Sequence, residues 1–131
     1  MNRIEFETYL YHFNARDYDR AMTYFSDDVV LRFAGYTISG KTAFRDFYAF
    51  FHQYVDEEVL IRQFSGDEEN VIIDAMFRLE GKLLLPQTVL SEKGYDRLAT
   101  PGPGEAIELP QFIHYRIKNG KFAEIRCVIK E

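Results

Sequence analysis

Residues 106–129 read AIELPQFIHYRIKNGKFAEIRCVI, two runs of alternating character separated by Asn119-Gly120. Asn-Gly is the dipeptide that best accepts the two left-handed residues of a type I′ turn, whose twist matches that of paired strands. The stretch therefore predicts an antiparallel hairpin with strands over 106–118 and 121–129. In the first strand Gln111, Ile113, Tyr115 and Ile117 share one face, and Phe112, His114 and Arg116 share the other. The same alternation recurs upstream: Val71, Ile73, Ala75, Phe77 and Leu79 lie opposite Asp74, Arg78 and Glu80. A turn at Ser65-Gly66-Asp67 joins that strand to another over about 59–64. The C-terminal half is thus an antiparallel sheet with one apolar face.

Toward the N-terminus the period changes. Ile4, Phe6, Tyr9, Leu10 and Phe13 recur every three or four residues, which predicts an amphipathic helix over 3–14. A short second helix follows, with Asp17 or Asp19 as N-cap and Ala21, Met22 and Phe25 as its buried stripe. Ser26-Asp27-Asp28 reads as a turn, 29–33 as a strand and 35–40 as a loop. A third helix is expected over 41–54, capped by Thr42, with Phe44, Phe47, Tyr48, Phe51 and His52 on one broad face. Residues 82–104 end a Leu83-Leu84-Leu85 run at Pro86 and contain Thr100-Pro101-Gly102-Pro103-Gly104, so they read as a lid-like insertion. The expectation is a single α+β domain over 1–131, with the helices on one face of a curved antiparallel sheet and a ligand cavity between them.

The 131 residues are 47% hydrophobic and include 12 Phe, 9 Tyr and no Trp. That is too apolar for a disordered chain, and a net charge of −5 without a basic patch disfavours nucleic acid and anionic membrane as partners. A lone Cys127 excludes an intrachain disulfide, and three scattered histidines offer no metal-ligand spacing, so neither metal nor cofactor is expected. No apolar run reaches membrane-spanning length, and the opening residues lack a signal-peptide core; the expected setting is soluble, reducing and cytoplasmic.

The order of these elements resembles the nuclear transport factor 2-like superfamily. The resemblance rests on Asn14-Ala15-Arg16-Asp17-Tyr18-Asp19, Tyr24-Phe25-Ser26-Asp27-Asp28-Val29, Gly40-Lys41, Phe44-Arg45-Asp46-Phe47-Tyr48 and Asn119-Gly120-Lys121-Phe122. Within that superfamily the chain looks like the SnoaL-like polyketide cyclase and ketosteroid isomerase branch, over residues 3–81 and 105–129. The resemblance implies a cystatin-like α+β barrel, a cone-shaped curved antiparallel sheet wrapped around three N-terminal helices, and a homodimer. It also implies that Tyr9 and Tyr48 stand where the isomerase has the tyrosines of its oxyanion network. Phe33 stands where that enzyme has its general-base aspartate, and Ile113 where it has its protonated aspartic acid. Neither replacement can move a proton, so the steroid isomerase mechanism does not carry over.

Tyr9 and Tyr48 are candidate donors to an enolate or ketone oxygen; core packing would explain them equally. His52, one turn beyond Tyr48, is the candidate acid or base, against the plainer role of a half-exposed histidine at a helix end. Phe33, Phe51, Gln111, Ile113 and Tyr115 are expected to line the pocket. His114 falls on the far face, which with Phe112 and Arg116 is the expected dimer surface, and His12 reads as solvated or interfacial. Asp74, Arg78 and Glu80 read as sheet-surface charges, and Cys127 as a core thiol. Two functions follow. One is a cofactor-free isomerase, cyclase or dehydratase acting on a small hydrophobic, ketone-bearing or polycyclic molecule; the other is a non-catalytic dimeric ligand- or partner-binding module.

Overall fold

The computed structural model describes residues 1–130. Helix α1 (Arg3–Asn14) starts at Asn2, whose side chain accepts from the Glu5 amide at 2.8 Å, and it buries Phe6, Tyr9, Leu10 and Phe13. Helix α2 (Tyr18–Ala21) is capped by Asp17, and a 3-10 turn over Met22–Tyr24 leads into strand β1 (Phe25–Phe33). Strand β2 (Tyr36–Ser39), helix α3 (Lys41–Phe51), strands β3 (Val55–Gly66) and β4 (Asn70–Gly81), helix α4 (Gln87–Glu92), and strands β5 (Ala106–Lys118) and β6 (Lys121–Ile129) follow.

One six-stranded sheet runs in the order β2-β1-β6-β5-β4-β3. Every neighbouring pair is antiparallel except β1 and β6, which are parallel, because β6 reaches the edge of β1 only after the β3-to-β6 meander has turned back. Register shifts at Phe25/Val30, Ile61/Gln63 and Arg116/Ile117 are bulges that bend and twist the sheet around the helices. Asn119 and Gly120 both have positive φ, at 54° and 75°, as the hairpin turn requires.

Four local expectations are corrected. Ser26–Asp28 belong to β1 as its bulged segment, since Phe25 stays paired with Phe122 while the exposed aspartates loop outward. The expected loop at 35–40 contains β2, a hairpin partner of β1 across a tight Ala34-Gly35 turn with φ of 50° and 81°. Helix α3 stops at Phe51 and is capped by Gly40 at φ 97°, not by Thr42. Strand β3 starts four residues before 59, at Val55: Asp56 and Glu58 point outward, while Glu57 occupies an inward position between Val55 and Val59.

The core is an aromatic stack between α1, α3 and the inner sheet face. Phe6 meets Tyr115 at 4.9 Å between ring centroids, Tyr9 meets Phe122 at 4.9 Å, and Phe25 meets Phe44 at 4.6 Å. The turn after α1 is tied to β3 by side chains that imitate a strand. Asn14 donates to the Val59 carbonyl and accepts from the Val59 amide, both at 3.0 Å, and Arg16 donates to the Glu57 carbonyl at 2.6 Å. These bonds set the position of the β3 segment that carries Glu57.

Candidate functional site

A cavity of about 90 Å³ lies between α3, the inner face of the sheet and the segment that follows α4. Its apolar wall includes Phe33, Phe47, Phe51, Leu98 and Leu109, and its polar groups come from Tyr48, Glu57 and Gln111. Tyr48, Phe77 and Cys127 also wall a deeper void of about 20 Å³ bordered by Tyr9 and Tyr115, which is room for a single water. The segment over 82–104 contributes Leu98 and Ala99 to the cavity wall. It is fastened there by buried Leu90, by Tyr95 packed on Phe47 and Tyr36, and by the Arg97 amide donating to the Tyr36 hydroxyl at 2.8 Å.

Buried polar groups are normally paired within the protein. Tyr9, Tyr115 and Gln111 are buried and Tyr48 is half-buried; their hydroxyls and amide bond to no other described residue, and all four residues border one or both of the voids. Burial, and then the nearby Glu57 charge, push the Tyr9 and Tyr48 phenols well above their ordinary range; the Tyr115 phenol is raised by burial and then by Tyr9. All three are neutral donors at any physiological pH. Burial also pushes the Cys127 thiol up to about 12, which removes it as a nucleophile.

The second feature is a buried chain of three side chains. His52 follows the last turn of α3, is 5% exposed, and places Nε2 2.7 Å from Glu57 Oε1. Its Nδ1 lies 2.6 Å from the Tyr18 hydroxyl of α2, whose ring is stacked against the imidazole. Burial lowers the His52 pKa more than the bond to Glu57 raises it, so the imidazole is neutral and the contact is a hydrogen bond, not an ion pair. One tautomer satisfies both ends: Tyr18 O–H donates to Nδ1, and Nε2–H donates to the Glu57 carboxylate. Glu57, itself 5% exposed, has no donor on Oε2 among the described residues, and it borders the cavity. A carboxylate held by one oxygen, with the other toward an apolar space, can accept a proton from a molecule placed there.

Several residues singled out in the sequence come together at this site. Phe33, Tyr48, Phe51 and Gln111 line the cavity, whereas Tyr9, Ile113 and Tyr115 line the deeper void with Tyr48. His52 stands apart from the arrangement expected for it. Its ring lies 5.3 Å from that of Tyr48, but both its nitrogens are engaged by Tyr18 and Glu57, and it borders neither void. It is also buried, not half-exposed. Glu57 and Tyr18 were not anticipated. Glu57 sits in Val55-Asp56-Glu57-Glu58, where three successive acids disguise a strand; its one signal is that it shares the parity of Val55 and Val59. His114 lies on the outer face, 2.7 Å from Asn70 Oδ1. Among the described residues no group of three or more His, Cys, Asp or Glu could hold a metal ion, and no helix is long and apolar enough to cross a membrane.

Comparison with solved structures places this architecture among known folds. A SnoaL-like polyketide cyclase from Agrobacterium tumefaciens superposes with a TM-score of 0.73 at 16% identity, covering 100% of this chain and 94% of that one. An LEH-like epoxide hydrolase from M. tuberculosis gives 0.71 at 16% identity, with 95% and 78% covered. A computationally designed 17-OHP binder gives 0.69 at 16% identity, with 93% and 87% covered. At these identities the likeness establishes the fold alone. No curated protein matches the sequence. The SnoaL-like domain family profile matches residues 6–125, from the middle of α1 to the middle of β6, and the chain belongs to the SnoaL-like domain family of the nuclear transport factor 2-like superfamily.

Proposed function

We propose that this protein binds a small hydrophobic ketone in the cavity beside α3, without a cofactor, with the Tyr48 hydroxyl and the Gln111 amide as donors to the carbonyl oxygen. The observation that carries the reading is the pair of donors, from half-buried Tyr48 and buried Gln111, that bond to no other described residue and border an otherwise apolar space. Size limits the ligand. Drug-sized molecules occupy pockets of roughly 300–1,000 Å³, so a cavity of about 90 Å³ accepts a single small ring while Leu98 and Ala99 are in place. A polycyclic ligand requires that segment to move outward. The matching reaction classes are isomerisation, cyclisation and dehydration; the alternative is a binding module without chemistry.

A graded series from cyclopentanone to a tetracyclic ketone, titrated by protein-observed NMR, tests the reading. Saturable shifts at Tyr48 and Gln111 with the small rings are expected. Tyr48→Phe, which removes one neutral hydrogen bond, is expected to weaken affinity by about 3- to 10-fold. Shifts confined to the protein surface would refute it. We also propose that the chain is a homodimer through the outer sheet face, where Leu60, Ile72, Phe112 and Val128 are exposed. Light scattering should give twice the chain mass at micromolar concentration and the single mass for Phe112→Asp; a monomeric native chain would exclude the dimer.

A further inference from the structure

We propose that Glu57 is the general base of this cavity, acting through Oε2 on a C–H bond of the bound molecule, and that His52 and Tyr18 are the positioning residues that hold it. The proposal rests on the reading that the cavity takes a small hydrophobic molecule. Three observations carry it.

The first is the incomplete pairing of the carboxylate. A glutamate buried for structural reasons would have donors on both oxygens, because an unpaired oxygen in an apolar setting is expensive. Among the described residues Glu57 has one donor, His52 Nε2 on Oε1, while Glu57 borders a space walled by Phe33, Phe51, Leu98 and Leu109. Arg16, the cation closest in the chain of contacts, does not neutralise it: its guanidinium is used on the Glu57 backbone carbonyl and on the carbonyls of Phe13 and Asn14.

The second is directional. The Glu57 carboxylate can only accept, so His52 carries its proton on Nε2, and Nδ1 accepts from the Tyr18 hydroxyl at 2.6 Å, the Tyr48 carbonyl being a more distant acceptor at 3.4 Å. The carboxylate thus selects the tautomer, the imidazole and the phenol hold Oε1 in place, and Oε2 is left without a donor among the described residues. Two further anchors limit movement of the imidazole: the Tyr18 ring is stacked on it with an interplanar angle of 9°, and the Phe13 ring meets it edge-on.

The third is that each member comes from a different element, α2, the end of α3 and β3, and the α1 turn is bonded directly to β3 at Val59 and Glu57. The geometry is therefore set by the packed fold and not by a mobile loop, which is what a positioned base requires.

The test uses 5-methylisoxazole, a planar single-ring probe whose ring opening asks only for a base. Oε2 takes the proton on the ring carbon next to nitrogen, the C–H electron pair forms the nitrile, the N–O bond breaks, and the enolate of cyanoacetone leaves; Glu57 then returns its proton to water. Native protein is expected to open the probe at least about 100-fold faster than Glu57→Gln, the usual reach of a positioned base. Glu57→Asp, which keeps the charge but withdraws it by one methylene, should fall between the two. Tyr18→Phe should lower kcat by about 10-fold with KM unchanged, and nitrogen NMR of His52 should show the proton on Nε2 in the native protein and in this variant. Circular dichroism of each variant confirms the fold. If the probe binds and the native rate equals that of Glu57→Gln, the base is refuted while the cavity reading stands. If the probe does not bind, the cavity reading fails and this proposal falls with it. An Nδ1–H tautomer in the native protein would refute the positioning role.

Discussion

Glu57→Gln should make this protein more stable. The Glu57 side chain is 5% exposed, and the one hydrogen bond its carboxylate receives from the described residues comes from His52 Nε2 at 2.7 Å. Removing a carboxylate from water costs several kcal/mol after relaxation, against which one charge-assisted hydrogen bond returns about 1.5–3 kcal/mol. A glutamine keeps the bond through its amide oxygen at the neutral value of about 0.5–1.5 kcal/mol and carries no charge to desolvate. Its nitrogen takes the place of Oε2, which has no protein partner in either case. The swap therefore gives up about 1 kcal/mol of hydrogen bonding, leaves the amide N–H groups without a protein acceptor at about 1 kcal/mol, and removes the larger desolvation cost, for a net gain of about 1–2 kcal/mol. In a domain of this size that raises Tm by about 4–8 °C. Thermal and urea melts followed by circular dichroism at neutral pH measure it. Glu57→Leu separates the contributions, because it removes the charge but strands the imidazole N–H, and should be about 1–3 kcal/mol less stable than Glu57→Gln. A Glu57→Gln protein no more stable than the native one would refute the view that this carboxylate is held at the expense of the fold.

Three further outcomes follow from the geometry. Because burial holds the His52 pKa below its ordinary 6.5, the folded state prefers the neutral imidazole; its share of stability is complete above pH 6.5, declines as pH falls through that value, and levels off below the folded midpoint. Urea midpoints measured against pH should show this decline in the native protein and lose it in His52→Gln. Gly81→Ala would put a methyl 2.0 Å from the Gly102 carbonyl oxygen, at the point where Gly81 N–H donates to Glu105 and the Gly81 carbonyl accepts from Gly104, so it should cost about 1–3 kcal/mol and free the segment over the cavity; unchanged amide exchange over 95–99 would contradict it. Tyr36→Phe removes the acceptor of the Arg97 amide and should speed exchange at that amide while leaving α1 and β5 protected, with hydrogen exchange as the measurement.

Much of the architecture can be read from local patterns. The Asn119-Gly120 turn, the alternation over 71–80 and 106–118, and the period of α1 depend on neighbouring residues alone, and the structure keeps all of them. Where tertiary contacts override local chemistry the reading slips. Ser26-Asp27-Asp28 has turn composition but is held in β1 by the Phe25–Phe122 pairing, and Tyr36–Ser39, flanked by glycines, is a strand because β1 is there to pair with it. The candidate site divides the same way: Tyr48, Phe51 and Gln111 reach the cavity from faces that periodicity assigns, and Phe33 from the position the family resemblance gives it.

What the sequence by itself determined is the fold class, the apolar faces and a space lined by aromatic rings, because these follow from side-chain period and from turn residues a few positions apart. Only the tertiary structure decided which polar groups meet inside. Tyr18, His52 and Glu57 are separated by 34 and 5 residues, and their contact depends on the end of α3, the packing of α2 against it and the inward parity of a strand whose first residues are mostly acidic. A hydrogen bond depends on angles and tenths of an ångström set by the whole packed core, and no local pattern encodes it.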